Sequence, residues 1–129
     1  MERESRLLLN LLIADDNATV RRFIADILTP FASEILECAD GADAVSAYRA
    51  QRRDLVLMDI RMGEMNGIEA TKRIRMADPA AKIIIVTNLD EDALRQEAAH
   101  EGACAYVLKD NLLDLLQVVG ILARERTNL

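Results

Sequence analysis

The sequence predicts a doubly wound α/β fold, in which a parallel β-sheet is covered by helices on both faces. Five short apolar runs alternate with helical patterns along a chain of 129 residues, which is typical of successive βα units. The runs are largely apolar, and this indicates a parallel sheet that helices cover on both faces, with the run 82–86 buried on both faces by its composition. A chain of this length without repeats or internal linkers is expected to form one domain.

The first two units begin with strands predicted over residues 9–14 and 34–39. The helix after the first strand is predicted from one apolar face at helical spacing, formed by Val20, Phe23, Ile24, Ile27 and Leu28. Asn17 suits the N-cap position of this helix, and Pro30 ends it. A second helix starts after Gly41.

The remaining units follow the same alternation. Their strands are predicted over residues 55–58, 82–86 and 103–108. The helices between these strands are predicted over residues 68–76 and 90–101, ending before Pro79 and at Gly102. The last helix is predicted from apolar residues at helical spacing, namely Leu112, Leu115, Leu116, Val119 and Leu122.

Four of the five predicted strands end in an ionisable or hydroxyl side chain. In strand order these residues are Asp15 with Asp16, Asp59, Thr87 and Lys109. Parallel strands bring their carboxyl ends to one edge of the sheet, where such folds bind ligands. Single acidic residues after strands are common in turns. An edge that collects three carboxylates, one hydroxyl and one ammonium nevertheless predicts a binding site.

The predicted edge has the chemistry of a site for a phosphoryl group. Neighbouring carboxylates repel one another unless a cation lies between them, and Mg²⁺ prefers carboxylates together with water and phosphate oxygens. Mn²⁺ is the alternative ion. Lys109 adds a positive charge suited to phosphate, and Thr87 adds a hydroxyl donor. We therefore expect a phosphoryl group to arrive on a carboxylate oxygen, with catalysis by positioning and charge stabilisation.

Composition and charge argue against several other roles. The chain has 16 basic and 22 acidic residues and a net charge of −6, and acidity without a basic stripe argues against direct nucleic-acid binding. The apolar run 7–14 is too short to span a membrane, and the residues before it lack a positively charged leader region. We therefore expect a cytoplasmic protein without membrane contact. Cys38 and Cys104 show no disulfide framework or metal-binding spacing.

In these residues the sequence resembles the receiver domain of bacterial two-component response regulators. The resemblance rests on the acidic pair after the first strand, on Asp59, Thr87 and Lys109, and on the stretches 57–62 and 66–67. It covers about residues 8–123. Each residue alone is weak evidence, but the ordered set at the strand ends is highly specific. The resemblance implies a flavodoxin-like (βα)5 sandwich with strand order 2-1-3-4-5.

The resemblance also implies a role for each residue of the site. Asp59 would be the phospho-acceptor. Asp16 and Asp59 would bind Mg²⁺ directly, Asp15 would bind it through water, and the backbone carbonyl of Arg61 would be a further ligand. Lys109 would pair with the phosphoryl oxygens.

The family resemblance implies a conformational switch rather than an enzyme. A sensor histidine kinase or a small phosphodonor would supply the phosphoryl group in a phosphorelay, and at most slow self-dephosphorylation would follow. Thr87 would move toward the new charge, and Tyr106 would turn inward with it. This movement would bias the face formed by the fourth helix, the fifth strand and the fifth helix. For Tyr106, a static and half-buried strand tyrosine is the alternative.

Several partners follow from the resemblance. The switch face would bind a second receiver or an output domain, and the first and fifth helices offer another route to a homodimer. The first helix would help to dock the kinase with exposed residues beside Phe23 and Ile24.

The stretch 106–110 resembles the nitrate-response or LuxR-type subgroup, whose members often carry a helix-turn-helix domain for transcription regulation. The sequence ends without a recognition helix. We therefore expect a receiver over residues 1–123 and a tail or truncated linker over 124–129. An excised receiver is favoured, and a stand-alone receiver is the alternative.

Three positions depart from the usual family pattern. Gly63 stands where many receivers have proline, which predicts a looser loop. Asp110 follows Lys109 where many receivers have proline with a cis bond, so a trans bond is expected. Asn88 replaces a small residue after Thr87, and we hypothesise that it crowds or hydrogen-bonds the phosphoryl site.

Two other functions stay open at this point. One is a Mg²⁺-dependent phosphatase with Asp59 as nucleophile, but such enzymes often need a second acid two positions later, where this chain has Arg61. The other is a degenerate receiver that serves only as an interaction module. The complete acidic set argues against it, although Gly63 and Asn88 leave room for it.

Overall fold

The structure, a computed structural model, describes residues 8–127 and forms a five-stranded parallel sheet. Its strands are β1 (Leu9–Ala14), β2 (Ala32–Cys38), β3 (Leu55–Met58), β4 (Ile83–Thr87) and β5 (Ala105–Leu108). They pair in the order β2-β1-β3-β4-β5, and every pairing is parallel. The predicted fold class and strand order are confirmed.

Helices follow each strand, as the alternation of patterns predicted. They are α1 (Ala18–Leu28), α2 (Gly41–Ala50), α3 (Gly67–Ala77), α4 (Asp92–His100) and α5 (Leu112–Thr127). A short 3-10 turn at Thr29–Phe31 lies between α1 and β2 and contains Pro30. Proline has no N–H group to continue the ladder of hydrogen bonds, so α1 ends before it, as predicted.

Side-chain caps set the start of three helices. Asn17, Asp40 and Asn66 accept hydrogen bonds from backbone N–H groups in the first turns of α1, α2 and α3, at 2.8 to 3.1 Å. Such caps satisfy N–H groups that have no partner within the helix. Asp40, which follows the second strand and had no evident role in the sequence, is therefore a helix cap.

The sheet separates two apolar layers. On one face, α1 and α5 pack against β-strand side chains that include Leu11 and Ile13. On the other face, α2, α3 and α4 pack against side chains that include Leu12 and Ala14. Alternate residues of β1 thus enter opposite layers, and β3 and β4 are buried along their whole length. With both faces covered, the strand ends are the place left for polar groups.

Some limits of the elements differ from the sequence prediction. β2 begins at Ala32, two residues earlier than predicted. The prediction missed this start because the residues directly after Ala32 are exposed and polar. β5 begins at Ala105, after a glycine turn at Gly102 with φ of 102°. The helix α4 is shorter at both ends than the predicted range 90–101. The helix α5 continues through Thr127, and the domain boundary at residue 123 stays a prediction.

Phe23 corrects the predicted apolar face of the first helix. Its side chain is 55% exposed, whereas Ile24 and Leu28 of the same helix are buried against the sheet. Residues at helical spacing spread over a stripe at least 100° wide, and Phe23 lies at the margin of that stripe. The helix α1 therefore presents an aromatic ring to solvent beside its buried side.

Other expectations concern the backbone, the thiols and the membrane. The described residues contain no cis peptide bond, so the bond between Lys109 and Asp110 is trans, as expected. Cys38 ends one edge strand and Cys104 directly precedes the other, and both are free thiols. Within residues 8–127, no helix combines the length and the apolar character needed to cross a membrane.

Candidate functional site

Hydrogen bonds just beyond the strand ends gather the predicted residues at one edge of the sheet. The N–H of Asp59 donates to the carbonyl of Ala14 at 2.9 Å, which continues the pairing of β1 with β3. The N–H of Lys109 donates to the carbonyl of Thr87 at 2.9 Å, which continues the pairing of β4 with β5. The neighbouring strand ends therefore hold these side chains in register.

The two aspartates after β1 differ in exposure. Asp15 is 1% exposed, and its Oδ1 atom accepts a hydrogen bond from the N–H of Asn17 at 2.9 Å. Its Oδ2 atom forms an ion pair with Lys109 Nζ at 2.7 Å, and no other donor within residues 8–127 reaches this buried oxygen. Asp16 is exposed to solvent. One carboxylate is thus anchored in the edge, while the other lies at its surface.

Asp59 is a buried carboxylate, with 7% of the residue exposed. Its Oδ1 atom accepts a hydrogen bond from the N–H of Ile60 at 2.8 Å, and its Oδ2 atom accepts one from Lys109 Nζ at 3.1 Å. Burial raises the pKa of the Asp59 carboxyl, and the charge of Asp15 adds to this effect. Lys109 and the Ile60 N–H only partly oppose the increase in pKa.

Lys109 is the cation that Asp15 and Asp59 share. Burial alone would lower the pKa of its ammonium group, but the hydrogen bonds and charges of the two carboxylates outweigh burial and raise this pKa. Lys109 therefore stays protonated at neutral pH and supplies a fixed positive charge at the edge of the sheet.

The aspartates of the edge fit a metal ion. One carboxylate oxygen from each of Asp15, Asp16 and Asp59 lies within 4.8 Å of the other two. Their combined charge exceeds that of Lys109, and the Oδ2 atom of Asp15 is a buried acceptor short of donors. A hard divalent cation with oxygen ligands would neutralise the excess negative charge and would give the Asp15 oxygen a partner. This cluster could therefore hold such an ion.

Thr87 and Tyr106 are joined through the backbone of Leu89. The Thr87 hydroxyl, at the buried end of β4, accepts a hydrogen bond from the Leu89 N–H at 3.2 Å. The half-buried Tyr106 donates its hydroxyl to the Leu89 carbonyl at 2.5 Å. The guanidinium of Arg95 lies 4.6 Å from the centre of the Tyr106 ring and pairs with Asp90 at 2.9 Å. No motif in the sequence indicated the parts played by Leu89 and Arg95.

Gly67 is required by the close approach of α3 to Asp59. A Cβ atom on this glycine would lie 1.8 Å from the carbonyl oxygen of Asp59. The N–H of Gly67 donates to the carbonyl of Ile60 at 2.7 Å, which ties the helix to the loop after β3. The sequence showed Gly67 only as part of a family motif, since no single-residue pattern reports a backbone contact made through space.

Three further predicted residues line the loops around the acidic edge. Gly63 has a φ of 60°, a left-handed conformation that proline cannot adopt because its ring fixes φ near −65°. The glycine therefore sets this turn, and the looser loop stays a prediction. Arg61 and Asn88 are exposed. Within residues 8–127 the Asn88 side chain makes no hydrogen bond to Asp59 or Thr87, and its effect on a phosphoryl group stays a prediction.

A surface cavity of about 390 Å³ lies beside the acidic edge. Side chains from α1, the loops after β4 and β5, and the start of α5 line it, namely Thr19, Val20, Phe23, Ile24, Asn88, Lys109, Asp110 and Leu112. Lys109 belongs both to this cavity and to the acidic edge. The exposed ring of Phe23 is thus continuous with the site.

Comparison with known proteins agrees with this geometry. Residues 11–119 match the family model described as response regulator receiver domain. Chemotaxis protein CheY of Thermotoga maritima is 41% identical over 99 residues, which are 76% of this chain and 82% of that protein.

Solved structures show the same similarity. The two-component response regulator of the LuxR family from Aurantimonas sp. matches with a TM-score of 0.84 and 33% identity, over 90% of this chain and 86% of that one. A chain of the CheX–CheY–BeF3–Mg²⁺ complex from Borrelia burgdorferi matches with a TM-score of 0.77 and 27% identity, over 85% of this chain and 87% of that one.

Proposed function

This chain belongs to the response regulator receiver domains of two-component signal transduction, and we propose that it accepts a phosphoryl group on Asp59 in a Mg²⁺-dependent reaction. One observation carries the proposal. Asp59 is buried beside Lys109, and carboxylate oxygens of Asp15 and Asp16 lie within 4.8 Å of it. Three carboxylates around one ammonium suit a site that a divalent cation and a phosphoryl group complete.

In the proposed reaction, a carboxylate oxygen of Asp59 attacks the phosphorus of a phosphohistidine or of a small acyl phosphate. The new O–P bond replaces the P–N or P–O bond to the donor, which leaves as imidazole or as a carboxylate. Lys109, which contacts Asp59 at 3.1 Å, would pair with a phosphoryl oxygen. Asp15, Asp16, Asp59 and the carbonyl of Arg61 would hold Mg²⁺ or Mn²⁺, which supplies charge neutralisation at the phosphoryl oxygens.

Labelling with acetyl phosphate tests this proposal. In the presence of Mg²⁺, the intact mass of the wild-type protein is expected to increase by one phosphoryl group, whereas Asp59→Asn gains nothing. Asp40→Asn is the matched control, because it removes one carboxylate from a helix cap outside the cluster and asparagine caps helices equally well. A phosphoryl adduct on the Asp59→Asn protein, or none on the wild type, would contradict the proposal.

We propose that the phosphoryl group switches the face formed by α4, β5 and α5. The Leu89 N–H donates a hydrogen bond to the Thr87 hydroxyl at 3.2 Å. If this hydroxyl moves toward the phosphoryl group, that hydrogen bond breaks. Leu89 also accepts the hydroxyl of Tyr106 at 2.5 Å, so a shift of its backbone moves Tyr106 and the Arg95 side chain stacked on it. A second receiver or an output domain would bind this face, and a homodimer through α1 and α5 is the alternative.

We place the chain in the LuxR-type subgroup, with a DNA-binding output domain after the receiver. The stretch 106–110 and the similarity to a LuxR-family response regulator support this placement. On this proposal residues 1–123 form the receiver, and 124–129 lead toward the output domain. We also propose that the chain acts in the cytoplasm and that its phosphodonor is a sensor histidine kinase. Only slow self-dephosphorylation is proposed, since Arg61 stands where phosphatases often have a second acid.

The cavity beside Phe23 is proposed to contact the kinase. Phe23 lines this cavity and is 55% exposed. Phe23→Ala is therefore expected to slow phosphotransfer from a histidine kinase by about tenfold, because the interface loses an aromatic anchor. Labelling by acetyl phosphate should be unchanged, because this small donor does not need the surface. Met76→Ala is the control, since it truncates an exposed apolar side chain on α3. Equal phosphotransfer rates for Phe23→Ala and Met76→Ala would exclude Phe23 from the docking surface.

A further inference from the structure

We infer that Arg21 is a positioning residue for the acidic cluster: its guanidinium fixes the backbone that carries Asp15 and Asp16, and thereby sets the affinity of the cluster for Mg²⁺. The inference rests on the proposed function. It adds to the site a residue of α1 that contacts none of the three carboxylate groups.

Arg21 joins three parts of the fold through one guanidinium. Its side chain projects from α1 and is 15% exposed. The Nη1 atom donates to the backbone carbonyl of Asp15 at 2.5 Å, and the Nε atom donates to Glu37 on β2 at 3.0 Å. The turn after β1 is therefore held between α1 and the edge strand.

The carbonyl of Asp15 needs this donor because it lies outside the regular elements. β1 ends at Ala14, and the ladder of α1 begins with the carbonyl of Asn17, which accepts from the Arg21 N–H at 2.9 Å. Asp15 is 1% exposed, so its carbonyl has little access to water, and a buried carbonyl without a donor costs free energy. Arg21 provides the missing hydrogen bond.

The position of Asp16 depends on the same peptide group. Asp16 is exposed, and within residues 8–127 no hydrogen bond or ion pair to a protein group holds its carboxylate. The peptide plane between Asp15 and Asp16 therefore orients it. The Asp15 N–H is bound to the carbonyl of Cys38 at 3.1 Å, so β2 and Arg21 together fix both backbone groups of Asp15. Loss of Arg21 would leave the Asp15 carbonyl without a donor, while the Asp15 N–H stays bound to β2.

Arg22 provides a matched comparison. Its Nη1 atom pairs with the other oxygen of Glu37 at 3.1 Å, so both arginines share one carboxylate. Its side chain, however, is 70% exposed, and its hydrogen bonds within the described residues do not reach Asp15. Substitution of Arg22 therefore removes the same charge from the same helix without releasing the turn.

The test is the Mg²⁺ affinity measured by calorimetry on the wild type, Arg21→Gln and Arg22→Gln, at a temperature where circular dichroism shows all three folded. Arg21→Gln is expected to weaken Mg²⁺ binding by about tenfold, as is typical when a group that orients a metal ligand is removed. Arg22→Gln should stay within about twofold of the wild type, because an exposed ion pair contributes little. Arg21→Lys, which can still donate to the Asp15 carbonyl, should recover part of the loss.

Equal Mg²⁺ affinities for Arg21→Gln and Arg22→Gln would overturn the inference, and so would a loss that Arg21→Lys does not reduce at all. If Arg21→Gln does not fold, Arg21→Lys is compared with Arg22→Lys, and the first is expected to bind Mg²⁺ more weakly. A wild-type protein that binds no Mg²⁺ would overturn the proposed function together with this inference. The two kinds of failure are therefore distinguishable.

Discussion

Replacing Gly67 by alanine is expected to lower the free energy of unfolding by about 3 kcal/mol or more, the upper range for inserting an atom into packed structure. The added Cβ atom would lie 1.8 Å from the carbonyl oxygen of Asp59 and 2.8 Å from its carbonyl carbon. Both partners are backbone, so the start of α3 and the loop after β3 must move apart. The hydrogen bond from Gly67 N–H to the Ile60 carbonyl would be strained by the same movement.

Urea denaturation followed by circular dichroism measures this effect, with Gly120→Ala as the matched control. A Cβ atom at Gly120 would meet the Phe31 ring at an ordinary 3.7 Å, and alanine is favoured over glycine inside a helix by about 1 kcal/mol. Gly120→Ala in α5 should therefore be stabilised, while Gly67→Ala is destabilised and labelled more slowly by acetyl phosphate. A Gly67→Ala protein as stable as the wild type would mean that α3 does not approach Asp59 this closely.

Replacing Lys109 by methionine is expected to have the second large effect on the free energy of unfolding. We expect a loss of about 3 kcal/mol in unfolding free energy at pH 7 without divalent ions, because removing one partner leaves buried charges uncompensated. Lys109 Nζ lies 2.7 Å from Asp15 and 3.1 Å from Asp59, and both carboxylates are buried. Methionine keeps most of the side-chain volume, so the change tests the charge rather than the packing.

The loss in the Lys109→Met protein should shrink as the pH falls. Burial already raises the pKa of Asp59, Asp15 raises it further, and Lys109 opposes both. A carboxyl whose pKa is higher in the folded than in the unfolded state binds protons more readily when folded. The stability of the Lys109→Met protein therefore rises as the pH falls through the pKa of Asp59 in the folded state. The gain is complete once the pH is below the pKa of Asp59 in the unfolded state, near 3.8. Lys72→Met, on the exposed side of α3, should show no such effect, and a Lys109→Met protein of wild-type stability at pH 7 would contradict the shared ion pair.

The sequence was sufficient for the sheet and its polar edge because both depend on local patterns. Runs of apolar residues predict strands that are buried on both faces, and polar residues at their carboxyl ends must then share one edge. The structure confirms the fold and gathers Asp15, Asp16, Asp59 and Lys109 there. The roles of these residues as acceptor, metal ligands and phosphate partner follow from the family resemblance and remain proposals.

Contacts that depend on how a helix lies against the loop before it could not be read from the sequence. The hydrogen bond from Arg21 to the Asp15 carbonyl depends on how α1 lies across the turn before it. The requirement for Gly67 depends on a backbone approach across the loop. The error over Phe23 has a similar cause, since helical spacing gives the direction of a side chain but not the width of the surface that covers it.

Locating the acyl phosphate in the chain tests the central proposal, that Asp59 is the acceptor, most directly. Wild-type protein labelled by acetyl phosphate in Mg²⁺ is reduced with borohydride, which converts aspartyl phosphate to homoserine, and its peptides are sequenced by mass spectrometry. We predict homoserine at position 59 and unmodified aspartate at Asp15 and Asp16. Homoserine at another aspartate, with Asp59 unmodified, would contradict the proposal.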